Sequence, residues 1–471
     1  MSPTEHDRRE SSGAIPRGPG GGGRRPVAGN GAARFPRPAA SRRGLLRGLA
    51  VLGFALGRSG GTAAERGVGR LVAGAGVFAR EYPEAVRIRK VSDRGGLEAA
   101  LADVRPGDHI VLADGSYGTT PLVLDLRGTP SRPVVLRAAN PLRAHLPGGF
   151  DLTAESADVI LWGLDLKDAE SRLRGTRNIL RRCRIWPPFK PDAPSTGIAA
   201  RRGSDCRIDY CEIRLYTTAE VDRLFGRRWN KTVYSGIWGN YWKRAFPDGD
   251  IMKNLVIERC LFTGGPHGVA YRKPNAQFVE AQGDYRKSSR RENWLYWIIR
   301  LCYGDVARDR TLFDFKCARM IVDRVHIDSP PGARIQLRDG TTHDVLRCRL
   351  PNGAVATHRN DHRIWNTLAA KIHVMAGNAP WDHTGPPRYW AASRNVHVAG
   401  CRAALRIGHV YNRDFLYPAE GTLVENHRGP VTYGLETDTR VGESSSVAAE
   451  EPVLLSAAEV GPTAPWMGVT P

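Results

Sequence analysis

Acidic residues are scarce in this chain of 471 residues. It contains 48 Asp and Glu against 69 Lys and Arg, which gives a formal net charge of +21. The excess of base is not confined to residues 1–64, which hold 11 of the bases and 3 of the acids. Such a balance favours a polyanionic partner, whether nucleic acid, anionic lipid or an acidic polysaccharide. A GC-rich genome that encodes Arg, Ala, Gly and Pro freely is an equally good explanation.

The motifs of several common enzyme classes are also missing. The sequence has no Gly-rich phosphate-binding loop, no ligand spacing of a zinc site and no Ser-His-Asp arrangement. A weakly apolar run that ends near Leu56 is interrupted by Arg47 and is too short to span a bilayer of about 30 Å. These absences leave the N-terminal composition and the repeat pattern as the main guides to function.

The N-terminal 64 residues divide into two parts. Residues 1–40 are rich in Gly, Pro and Arg, and they have too few apolar side chains to form a core, so we expect disorder. Residues 41–64 begin with Ser41-Arg42-Arg43, continue with the weakly apolar run and end with the small residues Thr62-Ala63-Ala64. This pattern resembles a twin-arginine export signal. It predicts a periplasmic or secreted protein with no stable membrane span.

A degenerate repeat organises the rest of the chain. Segments such as RNILRRCRI, KNLVIERCLF and HDVLRCRL alternate apolar residues and then carry a small or thiol-bearing residue. Four of the seven intervals between these positions lie between 19 and 28 residues, the size of one coil of a parallel β-helix. We therefore predict a single-stranded parallel β-helix, an all-β solenoid, over residues 84–440, followed by a C-terminal tail over 441–471. The repeat positions are Leu164, Cys183, Cys211, Cys260, Val325, Cys348, Thr367 and Cys401.

The cysteines and one helix fit this architecture. Eight cysteines in an exported protein would ordinarily suggest disulfides, but five of them fall on the repeat positions. We favour reduced, buried thiols in an internal ladder, with disulfides as the alternative. The segment 96–103, GLEAALAD, predicts a short amphipathic helix that caps the N-terminal end of the solenoid and covers its exposed strand edge.

The opening of the solenoid resembles a known family. PGDHIVLADGSY, RGTPSRPVVLRAANP and VILWGLDL are similar to the first coils of the polysaccharide lyases of family six, the group of chondroitinase B and many alginate lyases. NLVIERCLF, FDFKCARM and ARIQLRDGTTHDVLRCRL follow in the family's order, so the resemblance covers roughly residues 84–435. It implies a right-handed parallel β-helix that cleaves uronate-containing polysaccharides by β-elimination. The family's catalytic lysine falls on Lys316, and its catalytic arginine falls on Arg338.

The alternation around these two cations agrees with the resemblance. Phe313 and Phe315 are expected to face the core and Lys316 to face outward, and Ile335 and Leu337 to face the core with Arg338 outward. Since the cations lie 22 residues apart, they should share one face in adjacent coils. A lysine can remove the C5 proton of a uronate only when it is neutral, so its pKa should be lowered by neighbouring cations or by desolvation. Two solvated surface cations are the alternative interpretation.

Further substrate-binding residues are predicted around this pair. Arg334 and Gln336 share the outward face of the same strand as Leu337. Ala356 stands where the family often has a substrate-binding arginine, and His358 and Arg359 are the nearest polar candidates. Two connections rich in aromatic and basic residues, within 229–244 and 285–297, suit either sugar stacking or a packed loop core.

The resemblance also raises the question of calcium. Family members place acidic residues seven and five positions before the lysine, which here are Asp309 and Thr311. Asp309 is a plausible ligand and Thr311 a poor one, because calcium takes six to eight oxygens and usually several carboxylates. Asp305 or Asp314 is a possible substitute, but Asp314 beside Lys316 would raise the pKa of the lysine and oppose its role as a base. We therefore expect little or no calcium dependence.

The sequence predicts an exported polysaccharide lyase whose partner is an anionic polysaccharide. The alternative is a non-catalytic β-helix that binds or organises such a polymer, which the weak calcium ligand set would suit. Binding of nucleic acid is poorly supported, because a solenoid with an export signal gives no reason for it.

Overall fold

The computed structural model describes residues 81–190, 193–226, 233–239, 252–265, 275–282, 295–307, 311–338, 340–380, 391–410, 416–443, 447–452 and 455–465. The disorder predicted for residues 1–40 and the export signal predicted for 41–64 lie outside the described residues. The described residues belong to one compact unit, Gly61–Pro471. None of the helices in these segments is long and apolar enough to cross a membrane.

Short strands stack in parallel to form the predicted parallel β-helix. Each coil gives one strand to a first sheet and one or two strands to a second. Along the first sheet, adjacent strands pair residue for residue, as in Ile321↔Asp344 and Val322↔Val345. In the described part of the chain, the first sheet consists of Arg87–Val91, Asp108–Leu112, Val134–Ala138, Val159–Trp162, Ile179–Arg181, Arg207–Asp209, Val256–Glu258, Ile298–Arg300, Ile321–Asp323, Asp344–Leu346, Arg363–Trp365, His397–Ala399, Leu423–Glu425 and Arg440–Gly442.

The second sheet is the wider of the two, because long strands join two columns of pairings into one surface. A separate pair, Ala419–Glu420 with Glu436–Thr437, lies near the C-terminal end. The strands of the second sheet are Gly115–Ser116, Leu122–Leu124, Ala144–His145, Phe150–Leu152, Leu164–Lys167, Ser171–Thr176, Arg184–Trp186, Ser195–Ser204, Glu212–Leu215, Val233–Gly239, Met252–Lys253, Leu261–Gly264, Asn275–Gln282, Tyr303–Val306, Thr311–Lys316, His326–Asp328, Arg334–Leu337, Arg349–Thr357, Leu368–Met375, Arg402–His409 and Val431–Tyr433.

The predicted capping helix is confirmed at Arg94–Ala102. The Asp93 side chain accepts a hydrogen bond from the Gly96 amide and satisfies a donor of the first turn. Leu97 and Ala100 are buried against the first coil. A second helix, Thr218–Phe225, and a 3₁₀ helix, Ala457–Glu459, lie in connections outside the coils.

In ten coils of the described chain, a left-handed residue lies one or two positions before the first-sheet strand, and another marks the corner that follows this strand. The φ of the corner residue lies between 43° and 69°, and the following residue begins the next strand or starts the turn into it. Most of these residues are not glycine, although the conformation costs a side-chain-bearing residue roughly 1 kcal/mol. The corner residues are Gly163, Arg182, Tyr210, Arg259, Leu301, Arg324, Arg347, Asn366, Gly400 and Asn426.

The cysteine ladder is confirmed and is longer than predicted. All eight cysteines are buried free thiols. Cys302 is an additional rung, and its Sγ accepts a hydrogen bond from the Cys260 amide at 3.4 Å. It lies within the longest of the seven intervals, from Cys260 to Val325, where the sequence pattern had skipped a whole coil.

Candidate active site

Lys316 and Arg338 lie in adjacent coils of the second sheet, as predicted. The strands Thr311–Lys316 and Arg334–Leu337 pair in parallel, with Asp314 opposite Gln336. The Arg338 amide donates to the Phe315 carbonyl at 2.8 Å, which fixes Arg338 beside the lysine strand. The alternating partners Phe313, Phe315, Ile335 and Leu337 are fully buried in the core. The expected orientation of both strands is therefore confirmed.

The outward side chains form an ion-paired cluster. Lys316 Nζ lies 2.7 Å from Glu280 Oε1 and 3.0 Å from Asp314 Oδ2. Arg338 Nη2 is 3.4 Å from the same Asp314 oxygen. Ser235 Oγ donates to the other oxygen of Glu280 at 3.2 Å. Although these side chains point away from the core, Glu280 and Asp314 are 1% and 3% exposed, so the two carboxylates are shielded from bulk water, whereas the Lys316 and Arg338 side chains are 15% and 22% exposed.

Glu280 was not found from the sequence. It lies in the strand Asn275–Gln282, where Glu280 pairs with Asp314 and Gln282 with Lys316. The coil that separates Glu280 from Lys316 is longer than the 19–28 residue repeat, so the register between them could not be predicted from the repeat. The local signal was the alternation in Val279-Glu280-Ala281-Gln282, which places the carboxylate outward between two buried residues.

The electrostatics of Lys316 differ from the prediction. Burial acts to lower the pKa of Lys316, but the carboxylates of Asp314 and Glu280 outweigh burial and the repulsion of Arg338, so its pKa is raised. The expectation that neighbouring cations or desolvation lower the pKa of Lys316 is therefore wrong. The expected opposing effect of Asp314 is confirmed. Burial acts to raise the pKa of Asp314 itself, and Arg338 and Lys316 more than reverse that effect.

The described residues do not fit a calcium ion at this position. The carboxylates of Glu280 and Asp314 both contact the Lys316 ammonium group, so this side chain occupies the place between them that a metal cation would need. The Thr311 hydroxyl donates to Gln336 Oε1 at 3.2 Å. Within the described ranges, no group of three or more His, Cys, Asp or Glu residues is arranged to hold a metal. Asp309, the predicted ligand, lies outside the described residues.

A mixed-charge cavity of about 570 Å³ lies on the N-terminal side of the cluster. Its wall includes Ser235 and Trp238 from the strand next to Glu280, and Trp238 pairs with Glu280 in register. The Arg201 guanidinium stacks over the Trp238 ring at 5.0 Å from the centroid. Acidic and basic groups both line this cavity: Asp151, Asp168, Glu170, Arg172, Lys190 and Arg201.

A second cavity of about 350 Å³ lies on the C-terminal side of the cluster. Arg334, Gln336 and His358, three of the predicted substrate-binding residues, line it. Arg359, the fourth, is 4% exposed and does not line either cavity. The cluster of Glu280, Asp314, Lys316 and Arg338 therefore lies between two hollows along one face of the solenoid.

His358 is enclosed more deeply than a surface ligand would be. It is fully buried, and its Nδ1 lies 3.3 Å from the Ala391 carbonyl oxygen. Burial, followed by the nearby charge of Arg338, lowers the pKa of His358 to about 3. The imidazole is thus neutral at ordinary pH and can donate or accept one hydrogen bond at the cavity wall.

Of the aromatic residues in the two connections within 229–244 and 285–297, some lie in the core and one lies at a cavity wall. Tyr234 and Trp297 are fully buried, which supports the packed-core interpretation for these two residues. Trp238 lines the mixed-charge cavity, where its ring can contact a ligand. The remaining aromatic and basic residues predicted in these connections lie outside the described residues, apart from Tyr296.

Comparisons with known proteins agree with this fold. Residues 91–182 match the family model described as Chondroitinase B. A comparison with curated protein sequences finds no match. The solved structure of the PL6 family lyase Pedsa3628 from Pseudopedobacter saltans is similar with a TM-score of 0.54 at 12% identity, over 79% of this chain and 99% of that chain.

Two further solved structures have the same fold. A mannuronic acid specific family 6 lyase from human gut microbiota has a TM-score of 0.52 at 14% identity, over 74% of this chain and 82% of that chain. The alginate lyase AlyGC has a TM-score of 0.56 at 12% identity, over 77% of this chain and 53% of that chain. These likenesses show the architecture, and the family-model match covers only the N-terminal coils: the chain is a parallel β-helix protein whose fold is similar to that of family-six polysaccharide lyases.

Proposed function

We propose that the protein is an exported polysaccharide lyase that cleaves an anionic, uronate-containing polysaccharide by β-elimination. The observation that carries the proposal is the adjacent placement of Lys316 and Arg338 in an ion-paired cluster between two cavities of one face. The similar lyases of known structure and the family match over 91–182 support the same reaction class.

The proposed chemistry uses the two cations for different tasks. Arg338 binds the uronate carboxylate and stabilises the negative charge that develops when the C5 proton leaves. Arginine scarcely deprotonates in proteins, so it acts through charge and hydrogen bonds. Lys316 removes the C5 proton in its neutral form, and elimination then breaks the bond from C4 to the glycosidic oxygen. The leaving oxygen takes a proton from water or from the resulting lysine ammonium group.

The raised pKa of Lys316 sets a condition on this mechanism. Only a minor neutral fraction of the lysine is present near neutral pH, so activity should increase as the pH rises. We propose that the fixed cations, rather than calcium, neutralise the substrate carboxylate.

The second candidate function is binding without cleavage. The observation that favours it is the Lys316 ammonium group held charged by Glu280 and Asp314. Incubation with alginate, chondroitin, dermatan, heparan and bacterial uronate-containing exopolysaccharides distinguishes the two. Elimination leaves an unsaturated uronyl end that absorbs in the ultraviolet, whereas binding leaves none. Retention of a polymer with no gain in absorbance would refute the lyase.

Export forms part of the proposal and has its own test. The signal predicted over 41–64 should be removed near Ala64 before the protein reaches the periplasm or medium. N-terminal sequencing of protein recovered from those fractions measures the cleavage. An intact N-terminus on protein confined to the cytosol would contradict it.

A further inference from the structure

The N-terminal end of the solenoid is covered. The helix Arg94–Ala102 lies over the first coil, and its Leu97 is fully buried. Arg89, in the first strand, donates from Nη1 to the Ala100 carbonyl at 2.6 Å, and its Nη2 lies 2.7 Å from Asp103 Oδ2. The apolar interior of the first coil is therefore separated from water by the helix and by these ion-paired side chains.

The C-terminal end leaves the interior exposed. In the inward row of the first sheet, Val441 follows Val424, and in an inward row of the second sheet, Tyr433 follows Ile407. Val424 and Ile407 are fully buried, whereas Val441 and Tyr433 are each 56% exposed. The last coil therefore presents to solvent the apolar side chains that every earlier coil of these rows would cover with its neighbour.

The last strand of the first sheet also has an open backbone edge. The Arg440 amide donates to the Thr422 carbonyl at 2.8 Å, and the Gly442 carbonyl accepts from the Asn426 amide at 3.1 Å. Because successive residues of a strand turn their backbone groups to opposite edges, the Val441 amide and carbonyl face away from the solenoid. Within the described ranges, no strand pairs with this edge. Such an edge is a template for another strand.

The chain that follows the last coil leads away from this end. The described residues 447–452 and 455–465 contact earlier coils, where the Gly461 amide donates to the Arg259 carbonyl at 2.9 Å. The end is therefore free to pair with another molecule. A second copy of the chain offers an identical open edge and an identical apolar layer.

The charges of the last coil favour a second copy over a polyanion. Although the whole protein is strongly basic, this coil and the residue after it carry both signs: Arg428 and Arg440 with Glu436, Asp438 and Glu443. Two identical ends can place their cations opposite each other's carboxylates, whereas a polyanion meets no excess of positive charge here. The last coil, residues 423–442, also has about the 20 residues per partner at which stable protein interfaces begin.

We propose that the C-terminal end of the solenoid is a dimer interface, at which two copies of the chain stack end to end about a twofold axis close to Val441. The two open strands pair in antiparallel fashion, so the Val441 backbone groups bond to those of the other copy and the two apolar layers join. The helix-covered N-terminal ends stay outside the contact, so the assembly closes at two copies. The interface lies apart from the face that carries Lys316 and is independent of the lyase proposal.

Sedimentation velocity of the full chain over a series of concentrations tests this interface. Val441→Lys and Tyr433→Lys each place a charge in the exposed interior layer. Val123→Lys makes the same kind of change on a side chain that is 66% exposed near the N-terminal end, and it serves as the matched control. Circular dichroism verifies that each variant is folded.

We expect the wild type and the control to form the same dimer. Val441→Lys should raise the dissociation constant about 100-fold or more, because the twofold axis brings two like charges together in a buried place. Tyr433→Lys should raise it about tenfold or more, and it keeps the test decisive if Val441→Lys does not fold. A monomer at every concentration, a dimer that both variants form as readily as the control, or a series of larger species would each overturn the proposal.

Hydrogen exchange of the wild type distinguishes a second copy from a cover supplied by the same molecule. The Val441 amide should become protected only as the concentration rises and the dimer forms. Protection that is already complete in the monomer would mean that another part of the same chain, such as residues 65–80, pairs with this edge. That result would refute the dimer interface, whatever the outcome for the lyase.

Discussion

At the scale of single residues, the decisive feature is the competition for the Lys316 ammonium group. Two carboxylates within 3.0 Å hold it charged, while the proposed reaction needs it neutral. Arg338 relieves part of this conflict, because it also bonds to Asp314 and repels the lysine charge. In the proposed mechanism, the same four side chains therefore set both the binding of the substrate carboxylate and the pH at which the base becomes available.

The first prediction concerns the two cations. Lys316→Ala should abolish elimination and leave the fold intact, because the coil is held by Phe313 and Phe315 rather than by the lysine. Arg338→Ala should lower kcat about 100-fold or more, since it removes charge at the developing enolate. The effects should be far from additive because both residues serve one step. Initial rates of unsaturated product measure this, with exposed Lys90→Ala as control; near-normal turnover by folded Lys316→Ala would refute the mechanism.

The second prediction concerns the carboxylates. Asp314→Asn and Glu280→Gln each remove a negative charge that raises the pKa of Lys316, so each should lower that pKa. The rising limb of the kcat/KM profile should then shift to lower pH. Exposed Asp125→Asn serves as the matched control and should leave the profile in place. If the rising limb of the kcat/KM profile does not shift in either carboxylate variant, another group is the base.

At the scale of strands and corners, the repeat could be predicted where its period was regular. The alternation in 312–316 and 335–338 gave the register of Lys316 and Arg338, because each strand buries two large apolar side chains. The coil at Cys302 was missed, because a long connection precedes it and interrupts the regular spacing of the repeat. The burial of Asp314 and Gln336 was not predicted either. Alternation indicates the direction in which a side chain points, but it does not indicate which residues cover that side chain.

The third prediction concerns a stacked pair of buried histidines. The His343 and His362 rings stack with centroids 5.1 Å apart, and both are fully buried. Burial lowers the pKa of His362 to about 4 and that of His343 well below its ordinary value. The unfolded state, with a histidine pKa of about 6.5, then binds more protons than the folded state as the pH falls.

The free energy of unfolding should therefore be constant above about pH 6.5 and decrease from there toward pH 4, near the folded pKa of His362. Urea unfolding at a series of pH values measures the slope. His362→Gln, which cannot titrate, should make the slope shallower over this window. An identical slope in His362→Gln would place the acid sensitivity elsewhere.

At the scale of the whole molecule, the segment predicted as a C-terminal tail returns along the flank of the solenoid. Asn366 Nδ2 donates to the Ala448 carbonyl at 2.8 Å, and His326 Nδ1 lies 2.9 Å from the Leu455 carbonyl oxygen. The Gly461 amide donates to the Arg259 carbonyl at 2.9 Å. These contacts proceed from later coils to earlier ones. No repeat pattern in the sequence indicates them, because they use backbone carbonyls that any residue carries.

One arginine joins the two ends of the described chain. The Arg182 Nη1 atom donates to the Pro462 and Ala464 carbonyls at 2.8 and 2.6 Å, and Nη2 lies 2.8 Å from Glu81 Oε1. Its side chain is 8% exposed. The N-terminal and C-terminal segments therefore depend on the same guanidinium group, which occupies a left-handed corner of an inner coil.

The fourth prediction follows from this arrangement. Arg182→Ala should lower the free energy of unfolding by about 2 to 4 kcal/mol, because it leaves two buried carbonyls without this donor and removes the ion pair with Glu81. Arg172→Ala, on a side chain that is 62% exposed and pairs with Asp151, should cost less than about 1 kcal/mol. Truncation after residue 446 removes the C-terminal segment directly and should make Arg182→Ala less costly, since the contacts to Pro462 and Ala464 are then already absent while the pair with Glu81 remains. Urea unfolding of the wild type, the two single variants, the truncated protein and the truncated Arg182→Ala protein measures the coupling; additive losses would show that Arg182 stabilises its own coil and does not hold the C-terminal segment.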